Sequence, residues 1–146
     1  MEITKGVRRL TEATNRMDGA YYVWARRRGI NENRLAILYA LDGGTAVNQK
    51  QISDEWLIPK TTVNTVIREL EREGIVALTA RGREKLVALT ESGRAYTEAL
   101  LAPMKAAEVR ALQQTLERYS PEFLDAYDCF SGLLCRELQR DSEEDV

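Results

Sequence analysis

Residues 48–90 read NQKQISDEWLIPKTTVNTVIRELEREGIVALTARGREKLVALT, a stretch with the signals of two short helices and a hairpin in close succession. Asn48, followed three residues later by Gln51, has the form of a capping box, in which each side chain satisfies the other residue's backbone amide at a helix start. Ile52, Trp56 and Leu57 supply the apolar face of a short helix that stops at Leu57-Ile58-Pro59. Proline cannot donate inside a helix but suits a helix start, so a second helix begins across a tight turn and runs from Lys60 to Glu73, with Gly74 closing it. The run Thr61-Thr62-Val63-Asn64-Thr65-Val66-Ile67 is rich in β-branched residues and taken alone reads as a strand. Its continuation decides for helix, because Val63, Val66, Ile67 and Leu70 fall at helical spacing and Arg68 to Glu73 are strong helix formers.

Beyond Gly74, the strand-like runs Ile75 to Thr79 and Leu86 to Leu89 flank Ala80-Arg81-Gly82-Arg83-Glu84, a polar connection that contains the glycine a hairpin needs. The result is two short helices in tight sequence and then a two-stranded ribbon with a basic tip. That combination fits duplex DNA. A helix enters a major groove about 12 Å wide, the amides of its first turn are open to phosphate, and arginines at a ribbon tip reach the neighbouring backbone or minor groove. On the second helix, the face opposite Val63, Val66, Ile67 and Leu70 presents Thr61, Asn64, Thr65 and Arg68, with Lys60 and Thr62 at the entry. Asparagine pairs with adenine and arginine with guanine through two hydrogen bonds, each good pair discriminating by roughly 1–3 kcal/mol. The same side chains also suit an ordinary solvated face. Arg72 has a neighbouring glutamate at helical spacing with which to pair.

Outward from this stretch, Ile3, Val7, Leu10, Thr14, Met17, Tyr21 and Trp24 draw one apolar stripe along a long helix that needs a partner over its whole length. Arg28-Gly29 ends it. Asn31, or a residue beside it, caps a segment marked by Leu35, Ile37, Leu38 and Leu41 and closed by Asp42-Gly43-Gly44. On the C-terminal side, Thr90 caps a long helix that Pro103 can bend, and Ser120-Pro121 opens a last one. The stripe of this last helix, Phe123, Tyr127, Phe130, Leu134 and Leu138, is again too apolar for water. The fold class is therefore mainly α with a small β-hairpin wing, a winged helix-turn-helix between long N- and C-terminal helices.

A length of 146 residues suits one core. Hydrophobic residues at 44% and charged residues at 30%, with no long apolar run and no leader pattern, indicate a soluble cytoplasmic chain without a membrane partner. The formal charge is −2, but its distribution is uneven. Lys5, Arg8, Arg9, Arg16 and Arg26-Arg27-Arg28 make the first quarter basic, while Asp141, Glu143, Glu144 and Asp145 make an acidic end that reads as a frayed, solubilising terminus. There is no histidine, and Cys129 and Cys135 lack C-x-x-C spacing, so no metal ligand set and no cofactor is expected. The two cysteines read as buried, reduced thiols that do not sense oxidants. Without histidine, a phosphate-binding glycine loop or a nucleophile motif, the chain offers no catalytic residue, and it is not expected to be an enzyme.

The stretches Asn48-Gln49-Lys50-Gln51-Ile52-Ser53, Lys60-Thr61-Thr62-Val63, Arg68-Glu69-Leu70-Glu71-Arg72-Glu73-Gly74-Ile75-Val76 and Leu89-Thr90-Glu91-Ser92-Gly93-Arg94 resemble the MarR family of transcriptional regulators in order and spacing. The resemblance implies one domain over 1–146. Dimerisation helices lie at 1–30 and 103–146, and the winged helix-turn-helix with the start of a long connecting helix lies at 31–102. It places Lys60, Thr61, Thr62, Asn64, Thr65 and Arg68 on a recognition helix and Arg81 and Arg83 on the wing, and these eight are the expected DNA surface. Leu57-Ile58-Pro59 stands where the family commonly has small or polar turn residues, and the wing lacks the aspartate that often precedes its tip arginine.

The expected function is sequence-specific binding of double-stranded DNA, as a homodimeric repressor on an inverted-repeat operator. The resemblance adds a small aromatic effector that would bind between the dimer helices and the DNA-binding lobe. Tyr21, Tyr22, Trp24 and Tyr39 lie near such a cleft, yet aromatic residues at this spacing read first as plain core, and no effector residue is assigned. The competing reading is a winged-helix module that binds only protein, which the acidic total charge favours and the arginines at the wing tip oppose.

Overall fold

The computed structural model describes residues 2–144, in two compact units that meet in sequence between Leu101 and Ala102. The first unit holds α1 (Ile3–Arg27), α2 (Glu32–Leu41), β1 (Val47–Asn48), α3 (Gln49–Trp56), α4 (Lys60–Arg72), β2 (Val76–Arg81) and β3 (Glu84–Leu89). Helix α5 (Glu91–Leu116) begins in the first unit and continues into the second, where α6 (Glu122–Glu144) follows. The architecture is the winged helix-turn-helix that the sequence leads one to expect.

Each local signal in the first unit has a visible partner. The Asn31 side chain accepts from the Arg34 amide at 2.8 Å and starts α2. At α3 the capping box is complete, with the Gln51 amide donating to Asn48 Oδ1 at 2.7 Å and the Asn48 amide donating to Gln51 Oε1 at 2.9 Å. Helix α2 packs on α3 and α4, and α4 packs on β2. Ile37, Leu38, Leu41, Ile52, Ile58, Val63, Val66, Ile67, Leu70, Ile75, Val76 and Val87 close into one buried core. The β-branched run in α4 is helical because the burial of Val63, Val66, Ile67 and Leu70 along one side outweighs its weak local preference for strand.

The turn between α3 and α4 departs from the sequence reading. Leu57 takes the left-handed conformation, at φ 51° and ψ 43°, and stands 87% exposed. Ile58 enters the core in its place, and Trp56 keeps 38% of its surface exposed, edge-on to Tyr39 with ring centroids 5.6 Å apart. The Ser53 hydroxyl donates to the Ile58 carbonyl at 2.6 Å and holds the corner.

The wing is longer and tighter than its apolar pattern suggests. β2 and β3 pair antiparallel from Val76↔Leu89 to Arg81↔Glu84, so only Gly82 and Arg83 are left to make the connection. Gly82 has φ +62°, and a glycine at the first central position gives a two-residue turn whose twist matches that of the strands. Ladder bonds need no apolar side chains, which is why polar residues extend the hairpin beyond its hydrophobic runs. Strand β1, too short to carry a pattern, pairs Val47↔Val87 and Asn48↔Leu86 and puts β3 in the centre of the sheet.

A further lock joins the end of α4 to the start of α5. The Thr90 hydroxyl donates to the Gly74 carbonyl at 2.6 Å, the Gly93 amide donates to the Thr90 hydroxyl at 2.9 Å, and the Thr90 amide donates to the Ile75 carbonyl at 3.0 Å. A Cβ on Gly93 would lie 1.8 Å from the Ile75 carbonyl oxygen. The run Thr90-Glu91-Ser92-Gly93 is thus both a helix cap and a docking point.

Several expectations about burial need correction. Cys129 and Cys135 are exposed rather than buried, because no residue of α6 is buried in the single chain. Tyr21, Tyr22 and Tyr39 are between 38% and 46% exposed and are not core. Trp24 is half-buried, with the Arg28 guanidinium 3.7 Å from its ring centroid. The acidic end is helical through Glu144, where Arg140 pairs with it at 3.4 Å, instead of fraying; Asp145 lies outside the described residues.

Candidate nucleic-acid interface

Helix α4 presents its polar side as the sequence predicts. Lys60, Thr61, Thr65 and Arg68 are exposed, while Thr62 and Asn64 are half-buried on its flanks. Thr61, Thr65, Arg68 and Arg72 follow one another at steps of four, three and four, so they share the line that points away from the core. The Thr65 hydroxyl donates to the Thr61 carbonyl at 2.9 Å and keeps its oxygen free to accept. Arg72 does not take up the glutamate pairing expected of it; its Nε donates to the Arg68 carbonyl at 3.4 Å.

The N-terminus of α4 is open. Pro59 is its N-cap, with φ −55° and ψ 139°, and no side chain caps it among the described residues. The amides of the first turn therefore keep the partial positive charge that attracts a phosphate or a base acceptor.

Between α4 and the wing lies a groove of about 600 Å³ lined by Asn48, Gln49, Lys50, Asn64, Arg68, Glu71, Leu78, Glu84 and Lys85. Lys85 pairs with Ala80 and shares a face with Leu78 and Val87, whereas Glu84 pairs with Arg81 on the other face and lines the groove from the end of β3. Of the eight residues singled out from the sequence, the groove brings together Asn64 and Arg68. Lys60, Thr61, Thr62 and Thr65 lie outside its lining, and so do Arg81, at the end of β2, and Arg83, in the turn. All eight belong to the first unit.

Sequence reasoning missed Lys50 and Lys85 as partners of this surface. The signal for Lys85 was present, because the step-of-two pattern Lys85, Val87, Leu89 puts the lysine on the face of the buried valine. Among the described residues, none of Lys50, Lys60, Arg68, Arg81, Arg83 and Lys85 is engaged in an ion pair, so six cations stand free around α4 and the wing. Glu71 and Glu84 temper the groove itself. No group of histidine, cysteine and carboxylate able to hold a metal occurs among the described residues, and no helix there is long and apolar enough to cross a membrane.

A model of the MarR family matches residues 28–85. The whole fold is similar to that of NMB1585, a MarR family regulator from Neisseria meningitidis, at 22% identity and a TM-score of 0.76 over 97% of this chain and 99% of the other. It is also similar to the MarR family transcriptional regulator SPO1453 from Silicibacter pomeroyi, at 20% identity and a TM-score of 0.72 over 86% and 91% of the two chains. The transcriptional regulator BldR from Sulfolobus solfataricus gives 13% identity and a TM-score of 0.68 over 93% and 99%. No curated protein matches the sequence. Residues 28–85 therefore carry the MarR family signature within a chain that has the fold of MarR family regulators.

Proposed function

We propose that the protein is a transcriptional regulator that binds double-stranded DNA in a sequence-specific manner, as a homodimer on an inverted-repeat operator. The observation that carries this reading is the polar line of α4, with Thr61, Thr65 and Arg68 exposed above a helix start that, among the described residues, is uncapped, beside a wing whose Arg81, Arg83 and Lys85 make no ion pair there. In this reading α4 enters the major groove, Asn64 and Arg68 read base edges, Lys60, Thr61, Thr62 and Thr65 fix the helix on backbone and bases, and the wing cations hold phosphates.

Dimerisation is supported by two apolar stripes. On α1, Ile3, Val7, Leu10, Met17 and Tyr21 are all at least 40% exposed, and on α6 Phe123, Tyr127, Leu134 and Leu138 are at least 41% exposed. Faces this apolar are uncommon on a chain that works alone. Segments 1–30 and 103–146 accordingly serve as the dimer helices of a single domain, and the dimer acts as a repressor in the cytoplasm, released by a small aromatic ligand.

Nuclease footprinting on the DNA upstream of the gene tests the reading. The expected footprint covers two inverted half-sites whose centres are about 10 base pairs, or one helical turn, apart. Protection of one half-site contradicts the dimeric operator, and no protection at low salt favours a winged-helix module that binds protein alone.

A further inference from the structure

Arg34, near the start of α2, stands outside the proposed DNA surface, yet it makes a polar link to residues far along the chain. Its Nη1 donates to Glu73 Oε2 at 2.7 Å, and its Nη2 donates to the Tyr96 hydroxyl at 3.4 Å. The side chain keeps only 15% of its surface, and its Nε is buried without a partner among the described residues. Burial pulls the guanidinium pKa down, but the hydrogen bonds with Glu73 and Tyr96 more than reverse this, so the group ends above its ordinary value and stays charged.

The placement is unusual on two counts. Glu73 is the C-cap of α4, where the negative end of the helix dipole opposes a carboxylate, so this residue needs the cation that Arg34 supplies. The unpartnered Nε is a cost that an apolar side chain of similar volume would not carry, so a largely covered guanidinium beside a half-exposed carboxylate is suited to fixing a geometry. The same end of α4 is already held by Thr90, whose hydroxyl donates to the Gly74 carbonyl and whose amide donates to the Ile75 carbonyl. Those bonds fix where α4 ends. The link from Arg34 to Glu73 and Tyr96 adds a second point off the helix axis, and two points fix a direction.

We propose that Arg34 is a positioning residue. By tying Glu73 at the end of α4 to Tyr96 on α5, it sets the direction in which α4 presents Thr61, Thr65 and Arg68, and hence how well the protein distinguishes its operator from other sequences. This rests on the DNA-binding reading above.

The test measures the affinity of the full-length protein for the upstream duplex and for a scrambled duplex by fluorescence anisotropy. Both are measured at one salt concentration, well below the melting midpoint of each variant. Arg34→Met and Glu73→Gln are each expected to lower the ratio of the two affinities roughly tenfold, within the range by which network residues modulate coupling, while binding to the scrambled duplex is unchanged. The double variant is expected to be no worse than either single one. Tyr96→Phe removes only the 3.4 Å hydrogen bond and decides the matter should Arg34→Met not fold; it is expected to lower the ratio by a smaller factor. A ratio left unchanged in the folded variants while their melting midpoints fall makes the link structural only and overturns the inference. Equal losses on both duplexes overturn it as well. A wild-type protein that does not discriminate removes the DNA-binding reading, and the inference with it.

Discussion

Leu57 and Gly93 are held by opposite constraints, and each gives a prediction. A leucine in the left-handed region costs about 1–2 kcal/mol that glycine escapes, and Leu57, with φ 51° and 87% exposure, has almost no burial to set against that cost. Leu57→Gly is expected to stabilise the fold by up to about 1 kcal/mol, the unfolded-chain entropy of glycine consuming part of the gain; loss of stability in urea unfolding would mean that Leu57 has a contact in the working protein. Gly93 has the reverse problem. A methyl group there meets the Ile75 carbonyl carbon at 2.6 Å and its oxygen at 1.8 Å, and both are backbone atoms. Gly93→Ala is expected to destabilise by about 3 kcal/mol or more, at or beyond the upper end of ordinary overpacking. An unchanged melting midpoint would show that the start of α5 does not dock against the Ile75 backbone.

Among the elements, α4 and the wing divide the work between reading and holding. Asn64→Ala is expected to relax preference at one base position in each half-site, costing roughly 1–3 kcal/mol against the right base. Arg83→Ala is expected to weaken binding to all sequences alike and to reduce the slope of log K against log salt by about 0.9. Binding-site selection with each variant checks the first, and salt titration checks the second; a variant that leaves both readouts untouched does not belong to the surface. Most of the elements were legible because their signals are local. The Asn48/Gln51 box, the Asn31 cap, the Thr90 cap and the stripe Val63, Val66, Ile67, Leu70 all act within a few residues of themselves. Less legible was whatever depends on register or on a neighbour. The wing extends to Arg81 and Glu84 through backbone pairing that polar side chains do not advertise, β1 exists only because β3 lies beside it, and Lys85 turns to the groove by a parity that is fixed only once the Gly82-Arg83 turn is fixed.

For the molecule as a whole, the long helices raise the question of a partner. The stripes on α1 and α6 are plain in the sequence, but the apolar neighbourhood that makes Cys129, Cys135 and the tyrosines read as buried is not itself a covered one in the single chain. If two copies supply the cover, Leu134→Asp, which replaces a 43% exposed leucine on α6, is expected to yield a monomer by light scattering. Loss of the second half-site then lowers operator affinity by roughly a hundredfold, because the linked second contact disappears. A dimer that persists in this variant would place the interface elsewhere.

Whether α4 and the wing form a surface for duplex DNA is decided by a salt series. Binding of the purified protein to the duplex upstream of its gene and to a scrambled duplex is followed by fluorescence anisotropy at several salt concentrations. Tighter binding to the upstream duplex is expected, with log K falling linearly with log salt as displaced counterions require. Absence of binding to either duplex at low salt would contradict it.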